Sequence, residues 1–197
     1  QPTEPGSGGG SNSGGRGGGV LKIIANNFTH NGVISMRGVS GTYAGGAGGS
    51  IWIITTGTVS GSGTIRTNGG NSVWTGNQNG AGGGGRVSFA YNSSVSGNSS
   101  VNLVFQAFGG IMSGNDIQAE RGGAGTVYIE KTNEHVANQG NLIIANNNQS
   151  LLATRLTPIP HLSTFADLTI KDQAIAQAET VTMDNLNVLN VGRLQHD

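Results

Sequence analysis

The sequence predicts an all-β fold, in its most specific form a parallel β-helix (β-solenoid) with glycine-rich loops; a glycine-rich β-sandwich is the alternative. Three observations point there. Apolar residues alternate with polar ones in short runs bounded by Gly and Asn, which is a strand signal. The runs recur at intervals of 30, 36 and 40 residues, in the range of stacked repeat architectures. Finally, 36 of the 197 residues are Gly, and 34 of them precede residue 126. Each Gly in a helix interior costs about 1 kcal/mol relative to Ala, so a helical bundle is excluded.

The anchor of the repeat is a Gly pair followed by an apolar–x–apolar strand. It occurs as Gly18-Gly19-Val20-Leu21-Lys22-Ile23-Ile24, Gly48-Gly49-Ser50-Ile51-Trp52-Ile53-Ile54 and Gly84-Gly85-Arg86-Val87-Ser88-Phe89-Ala90. The fourth copy is Gly123-Ala124-Gly125-Thr126-Val127-Tyr128-Ile129. Leu21, Ile51, Val87 and Val127 align. A second strand follows in each of the first three repeats, within 32–38, 61–68 and 101–108. The unequal intervals are expected to be absorbed by loops at 71–83 and 109–123, which are rich in Gly, Asn and Ser.

Three regions follow. Residues 1–19 form a Gly/Ser-rich tail, expected either as a flexible end or as an extended, polyglycine-like strand laid on this or a neighbouring subunit. Residues 20–130 carry the glycine-rich β repeats. Residues 131–197 hold β-helix-like rungs continuous with them, including Leu168-Thr169-Ile170, Val181-Thr182-Met183 and Leu186–Val191. Thr157-Pro158-Ile159-Pro160 interrupts the pattern, because Pro cannot donate to a central strand. The alanine-spaced stretch 171–179 reads as a strand or a short helix. No capping helix follows the last strand, so further chain or another subunit is expected to cover that end.

The run Gly45–Ile53, then Gly61-Ser62-Gly63-Thr64-Ile65, Asn68-Gly69-Gly70-Asn71 and Gly82–Val87, resembles the glycine-rich parallel β-helix repeats of extracellular adhesin-like or fibre-forming surface proteins of microbes. The resemblance covers about residues 17–194. It implies a secreted, surface or fibre-forming protein, extracellular or at the cell surface, and carries over no catalytic residue.

Composition narrows the partners. Ten basic and ten acidic side chains give no net charge, which argues against the basic face that nucleic acid requires. No apolar run reaches the roughly 18 residues of a membrane span. With no Cys, disulfides, thiolate metal sites and thiol catalysis are excluded. The four His, at 30, 135, 161 and 196, show no metal spacing, so neither a metal nor a cofactor is expected. Gly80–Gly85 satisfies G-x-G-x-x-G, but a strand follows it where dinucleotide binding needs a helix. Gly114-Asn115-Asp116-Ile117 is one copy of a calcium-repeat fragment that works only in tandem.

The expected function is non-catalytic: a self-associating fibre subunit or adhesin stalk whose partner is itself, head-to-tail or lateral. A carbohydrate-binding surface module is the first alternative, with Trp52, Trp74 and Tyr128 as sugar-stacking candidates. Trp52 and Tyr128 share one repeat position, which Lys22 and Ser88 fill in the other copies. A β-helical polysaccharide lyase or hydrolase is the second alternative. Its densest acidic cluster is Glu130 and Glu134 with His135. Four N-glycosylation sequons begin at Asn27, Asn92, Asn98 and Asn148.

Overall fold

A computed structural model describes residues 1–73, 80–98, 101–112, 121–149 and 155–196. The described chain is all-β; no helix forms in it, so none is long and apolar enough to cross a membrane. A seven-stranded sheet runs through the molecule in the order β1 (Val20–Ala25), β4 (Ser50–Thr55), β7 (Arg86–Tyr91), β9 (Thr126–Lys131), β10 (Asn141–Ala145), β12 (Ser163–Lys171), β14 (Val181–Val188). The aligned anchors are direct ladder partners: Leu21 faces Ile51, Ile51 faces Val87, and Val87 faces Val127, all in parallel pairs. The second strands stack likewise as a parallel sheet of β3 (Val33–Ser35), β6 (Thr64–Arg66) and β8 (Val104–Gln106). A short pair, β2 (Phe28–Thr29) with β5 (Val59–Ser60), closes the turn between them.

The sheet is mixed at one place. The hairpin 132–140 returns the chain, and β9 and β10 pair antiparallel, with Ile143 opposite Val127 and Leu142 opposite Tyr128. Strand direction therefore inverts halfway across the sheet, where the repeat pattern suggested uninterrupted parallel stacking. Directly opposed residues share a face, so the inversion also changes which face is buried. Ile51, Ile53, Val87, Phe89 and Val127 point into a first core, closed by the β3–β6–β8 sheet. Leu142 and Ile144, with Leu168 and Ile170, point to the opposite face and build a second core. Two residues tie the halves: Ile143 packs against the first core and Tyr128 against the second.

From β12 onward the repeat shortens to 18 residues, pairing Ser163 with Val181 and Ile175 with Arg193. The stretch 171–179, read as strand or short helix, contains the strand β13 (Ile175–Gln177). It pairs with β15 (Arg193–Gln195) on one side and with β11 (Thr157–Pro158) on the other. Pro158 is tolerated because β11 is an edge strand. Asx side chains stack at the same spacing: Asn185 Nδ2 donates to Asp167 Oδ1 at 2.7 Å, and Asn190 Nδ2 to Asp172 Oδ1 at 2.9 Å.

Candidate functional site

The unusual chemistry of this chain lies in its backbone. Eight extended segments, 4–9, 13–19, 36–42, 44–49, 67–72, 80–85, 107–112 and 121–125, pack side by side outside the regular strands. Their amides do not alternate between two neighbours as in a sheet. The Gly45 and Gly48 amides donate to the carbonyls of Gly80 and Gly83, those of Gly46 and Gly49 to Val39 and Met36, and that of Ala47 to Ser7. Successive N–H groups thus fan out to three neighbouring segments and return every third residue. That is the period of a threefold extended helix, which makes no hydrogen bonds within itself. The same period joins Gly15 and Gly18 to Ala44 and Ala47, Gly38 and Gly41 to Asn68 and Asn71, and Gly122 and Gly125 to Gly110 and Ala107.

The glycines serve proximity rather than backbone angle. Among those described, only Gly61 and Gly97 lie at positive φ, 101° and 93°. A Cβ placed on Gly46 would overlap the Arg16 carbonyl, one on Gly70 that of Val39, and one on Gly82 that of Gly46. The signal was present in the sequence as Gly-Gly-x-Gly-Gly: Gly14-Gly15-Arg16-Gly17-Gly18 and Gly45-Gly46-Ala47-Gly48-Gly49 leave a side chain only at the third position. The first 19 residues belong to this bundle. Gly6 and Gly9 donate to Gly18 and Gly15, and Val39 and Thr42 donate to Arg16 and Ser13. The described ends of the expected loops, 80–83 and 109–112, are bundle segments as well.

The aromatic candidates lie on the face of the seven-stranded sheet opposite the first core. Lys22, Trp52, Ser88 and Tyr128 form one cross-strand row. Lys22 Nζ stands 4.0 Å from the Trp52 ring centre, a cation–π contact. Trp52 and Tyr128 are two strands apart, hence about 10 Å, with buried Ser88 between them. The Tyr128 hydroxyl is engaged: it donates to Glu130 Oε2 at 3.1 Å and accepts from the Gly140 amide at 2.7 Å. Burial, with the Glu130 carboxylate adding to it, pushes this phenol up to about 12. Trp74 lies outside the described residues, as does the calcium-like fragment at 114–117.

The acidic candidates hold the hairpin. Glu130 Oε1 accepts from the Asn138 amide at 3.2 Å. Glu134 accepts from the Ser93 hydroxyl, and from Lys131 Nζ at 2.9 Å. His135 Nδ1 accepts the Lys131 amide. The Ser93 hydrogen bond first, and Lys131 second, hold the Glu134 carboxyl below the usual glutamate range. Glu134 is thus an ionised acceptor, the opposite of a carboxyl tuned to donate a proton near neutrality. Its contact stabilises the hairpin fully above the ordinary glutamate pKa, and that contribution is lost as pH falls through the depressed value. A carboxyl-carbon NMR titration is expected to place the Glu134 midpoint below that of an unperturbed glutamate and to return it upward in Ser93→Ala. An unshifted midpoint in the native protein contradicts the assignment.

The sequons separate by environment. Asn27 is exposed, and its Oδ1 accepts from the Thr58 amide and hydroxyl, both at 2.9 Å. Asn92 Oδ1 caps the turn by accepting from Ser94. Asn148 is exposed at φ 58°. Asn98 cannot carry a glycan in this fold. It is 0% exposed; its Oδ1 accepts from the Val59 amide at 2.7 Å, and its Nδ2 donates to the carbonyls of Gly57 and Asn92, each at 2.8 Å. Its side chain occupies the edge of β5 opposite the one that pairs with β2. Asn98→Ala would leave buried groups unpaired, and chemical denaturation is expected to show a loss of about 2 kcal/mol. A change within about 0.5 kcal/mol, the usual range of a surface substitution, would remove this role.

Among the described residues, no three His, Asp or Glu side chains converge as a metal site. No protein-family model, curated protein or solved structure matches the chain.

Proposed function

We propose that the chain is a non-catalytic structural module of an extracellular or cell-surface protein, built as a β-solenoid and braced by its glycine bundle. It acts as a self-associating fibre subunit or stalk. The observation that carries this reading is the bundle itself, in which backbone amides, rather than reactive side chains, converge. Gly has the highest ordering entropy of any residue, and each hydrogen bond returns only about 1 kcal/mol net. A chain that places so much Gly in one cross-bonded block gains rigidity and close packing from it, which suits a load-bearing element.

Self-association is supported by the two edges of the large sheet. Among the described residues, each of β1 and β14 is paired on one side only. Val20 and Ile24 are exposed on β1, and Leu186 and Val188 on β14. Unpaired edge strands with apolar side chains are ready-made pairing surfaces, and a neutral molecule offers little repulsion between copies. Negative-stain microscopy combined with sedimentation over a concentration series is expected to show filaments or higher oligomers. Monodisperse particles at the highest concentration would defeat the proposal.

Carbohydrate binding is the second reading, favoured by the Trp52–Ser88–Tyr128 row. Glycan-array binding that is lost in Trp52→Ala supports it. Binding that survives that substitution removes the row from consideration.

A further inference from the structure

The glycine bundle has a third layer, and that layer has a gap. Segments 47–50, 84–86 and 124–126 lie side by side as the lead-ins to β4, β7 and β9. The first is covered by the N-terminal segment 4–7: the Ala47 amide donates to the Ser7 carbonyl, and Ser50 Oγ donates to the Glu4 carbonyl at 2.6 Å. The third is covered by β11, whose Thr157 Oγ1 donates to the Ala124 carbonyl at 2.7 Å. Nothing described covers the middle one. A cavity of about 270 Å³ remains there, floored by Gly84, Gly85 and Arg86 and walled by Glu4–Ser7 on one side and Thr157 and Pro158 on the other.

The exposure pattern agrees. Gly48, Gly49 and Ser50 are buried beneath their covering segment, whereas at the corresponding positions Gly84 is half-buried, Gly85 buried and Arg86 exposed. Hydrogen bonding agrees as well. Gly82 and Gly85 donate to Gly70 and Thr67, just as Gly46 and Gly49 donate to Val39 and Met36, so Gly83 holds the position of Ala47. The Ala47 amide reaches the covering segment; the Gly83 amide donates to no backbone carbonyl among the described residues. Arg86, at the mouth, has no ion-pair partner among them either.

We infer that this slot is a docking site for one extended peptide strand of a partner protein. The strand lies between 4–7 and β11, accepts the Gly83 amide, and completes the third layer. The occupant is peptide backbone because both neighbouring positions in the layer are filled by extended chain, and because the Gly83 amide lacks, among the described residues, the backbone acceptor that Ala47 finds in its covering segment. The site requires no pairing between copies of this chain, so it goes beyond the structural reading above.

The test is an amide NMR titration of the full chain, held dilute enough to be monomeric, with a synthetic peptide of the sequence of its own residues 1–9. That segment already makes the corresponding contact at 47–50. Saturable shifts centred on Gly83, Gly84 and Arg86 are expected. Gly83→Leu places a side chain where a Cβ meets no atom nearer than 3.8 Å. It is expected to keep the fold and to weaken the peptide by at least about tenfold through steric exclusion. Should Gly83→Leu lose the native spectrum, Gly83→Ala with a Thr126→Trp block serves the same purpose. Four outcomes overturn the inference: no shifts at millimolar peptide, shifts confined to the β1 or β14 edges, equal binding by the folded slot variant, or the same resonances moving with a soluble oligosaccharide but not with peptide. Filament formation is scored separately by microscopy, so loss of the docking site and loss of self-association are distinguishable.

Discussion

Gly82→Ala is expected to destabilise the protein by about 3 kcal/mol, the upper part of the usual range for overpacking, while Gly83→Ala, one residue on, stays within about 0.5 kcal/mol of the native protein. The two glycines are neighbours in one extended segment, and neither has a positive φ that would strain alanine. What separates them is the direction of the missing Cβ. At Gly82 it points into the Gly46 carbonyl and the Ala47 amide nitrogen, in the middle of the bundle. That backbone cannot retreat without breaking the bonds that Gly82 makes to Gly70 and receives from Gly110. At Gly83 the nearest atom is the Gly123 carbonyl oxygen at 3.8 Å, ordinary contact. Alanine there also lowers the entropy of the unfolded chain, an effect worth about 0.4–1 kcal/mol in favour of the variant where no strain opposes it. Urea denaturation of the two variants side by side checks the pair. Equal stabilities would mean that the glycines are flexible connections and not a packed bundle.

The contrast between these two glycines also marks what the sequence could and could not reveal. The ladder alignment of Leu21, Ile51, Val87 and Val127 was legible because alternation and a preceding Gly pair fix the register of a half-buried strand. The bundle was hidden by the habit of reading Gly as a turn residue. Its real signature is a three-residue spacing of the few non-glycines, Arg16 and Ala47 among them, and a period of three is neither the two of a strand nor the 3.6 of a helix. The exchange of buried faces at β9 and β10 was beyond reach for a different reason. Asn141-Leu142-Ile143-Ile144-Ala145 repeats the pattern of Leu21-Lys22-Ile23-Ile24-Ala25 closely enough to suggest another parallel rung. The antiparallel register of β9 and β10 reveals that the hairpin folds back, with the Tyr128 hydroxyl bridging Glu130 and the Gly140 amide. The bonds of the turn itself explain why the Glu130, Glu134 and His135 cluster looked like a site: its polar groups converge to hold the hairpin. The burial of Asn98 is likewise a tertiary fact, since its sequon is locally indistinguishable from the exposed one at Asn27.

Phe89→Ala is expected to cost about 4 kcal/mol, as the removal of a fully buried aromatic ring generally does. Phe89 is 0% exposed and forms the hub of the first core, with ring centres at 5.4 Å from Tyr91, 5.4 Å from Phe105 and 6.2 Å from Phe28. Those partners come from different parts of the repeats: Phe28 from the β2 turn, Tyr91 from β7 itself, and Phe105 from the β3–β6–β8 sheet. The ring therefore bridges the two sheets at the centre of the first core, and among the described residues no other buried side chain of that core is an aromatic in contact with all three partners. Ile24→Ala is the control. Ile24 is 69% exposed on the edge strand, and a surface change of that kind is worth at most about 0.5 kcal/mol. The face exchange adds a spatial expectation. The second core lies on the opposite side of the sheet and is linked to the first mainly through Tyr128 and Ile143. Amide hydrogen exchange in Phe89→Ala should therefore lose protection most in β4, β7 and β9 and least in β12, since local opening follows cooperative packing units. Uniform loss across all seven strands would show instead that the shared backbone ladder, and not the side-chain cores, sets the unit of cooperativity.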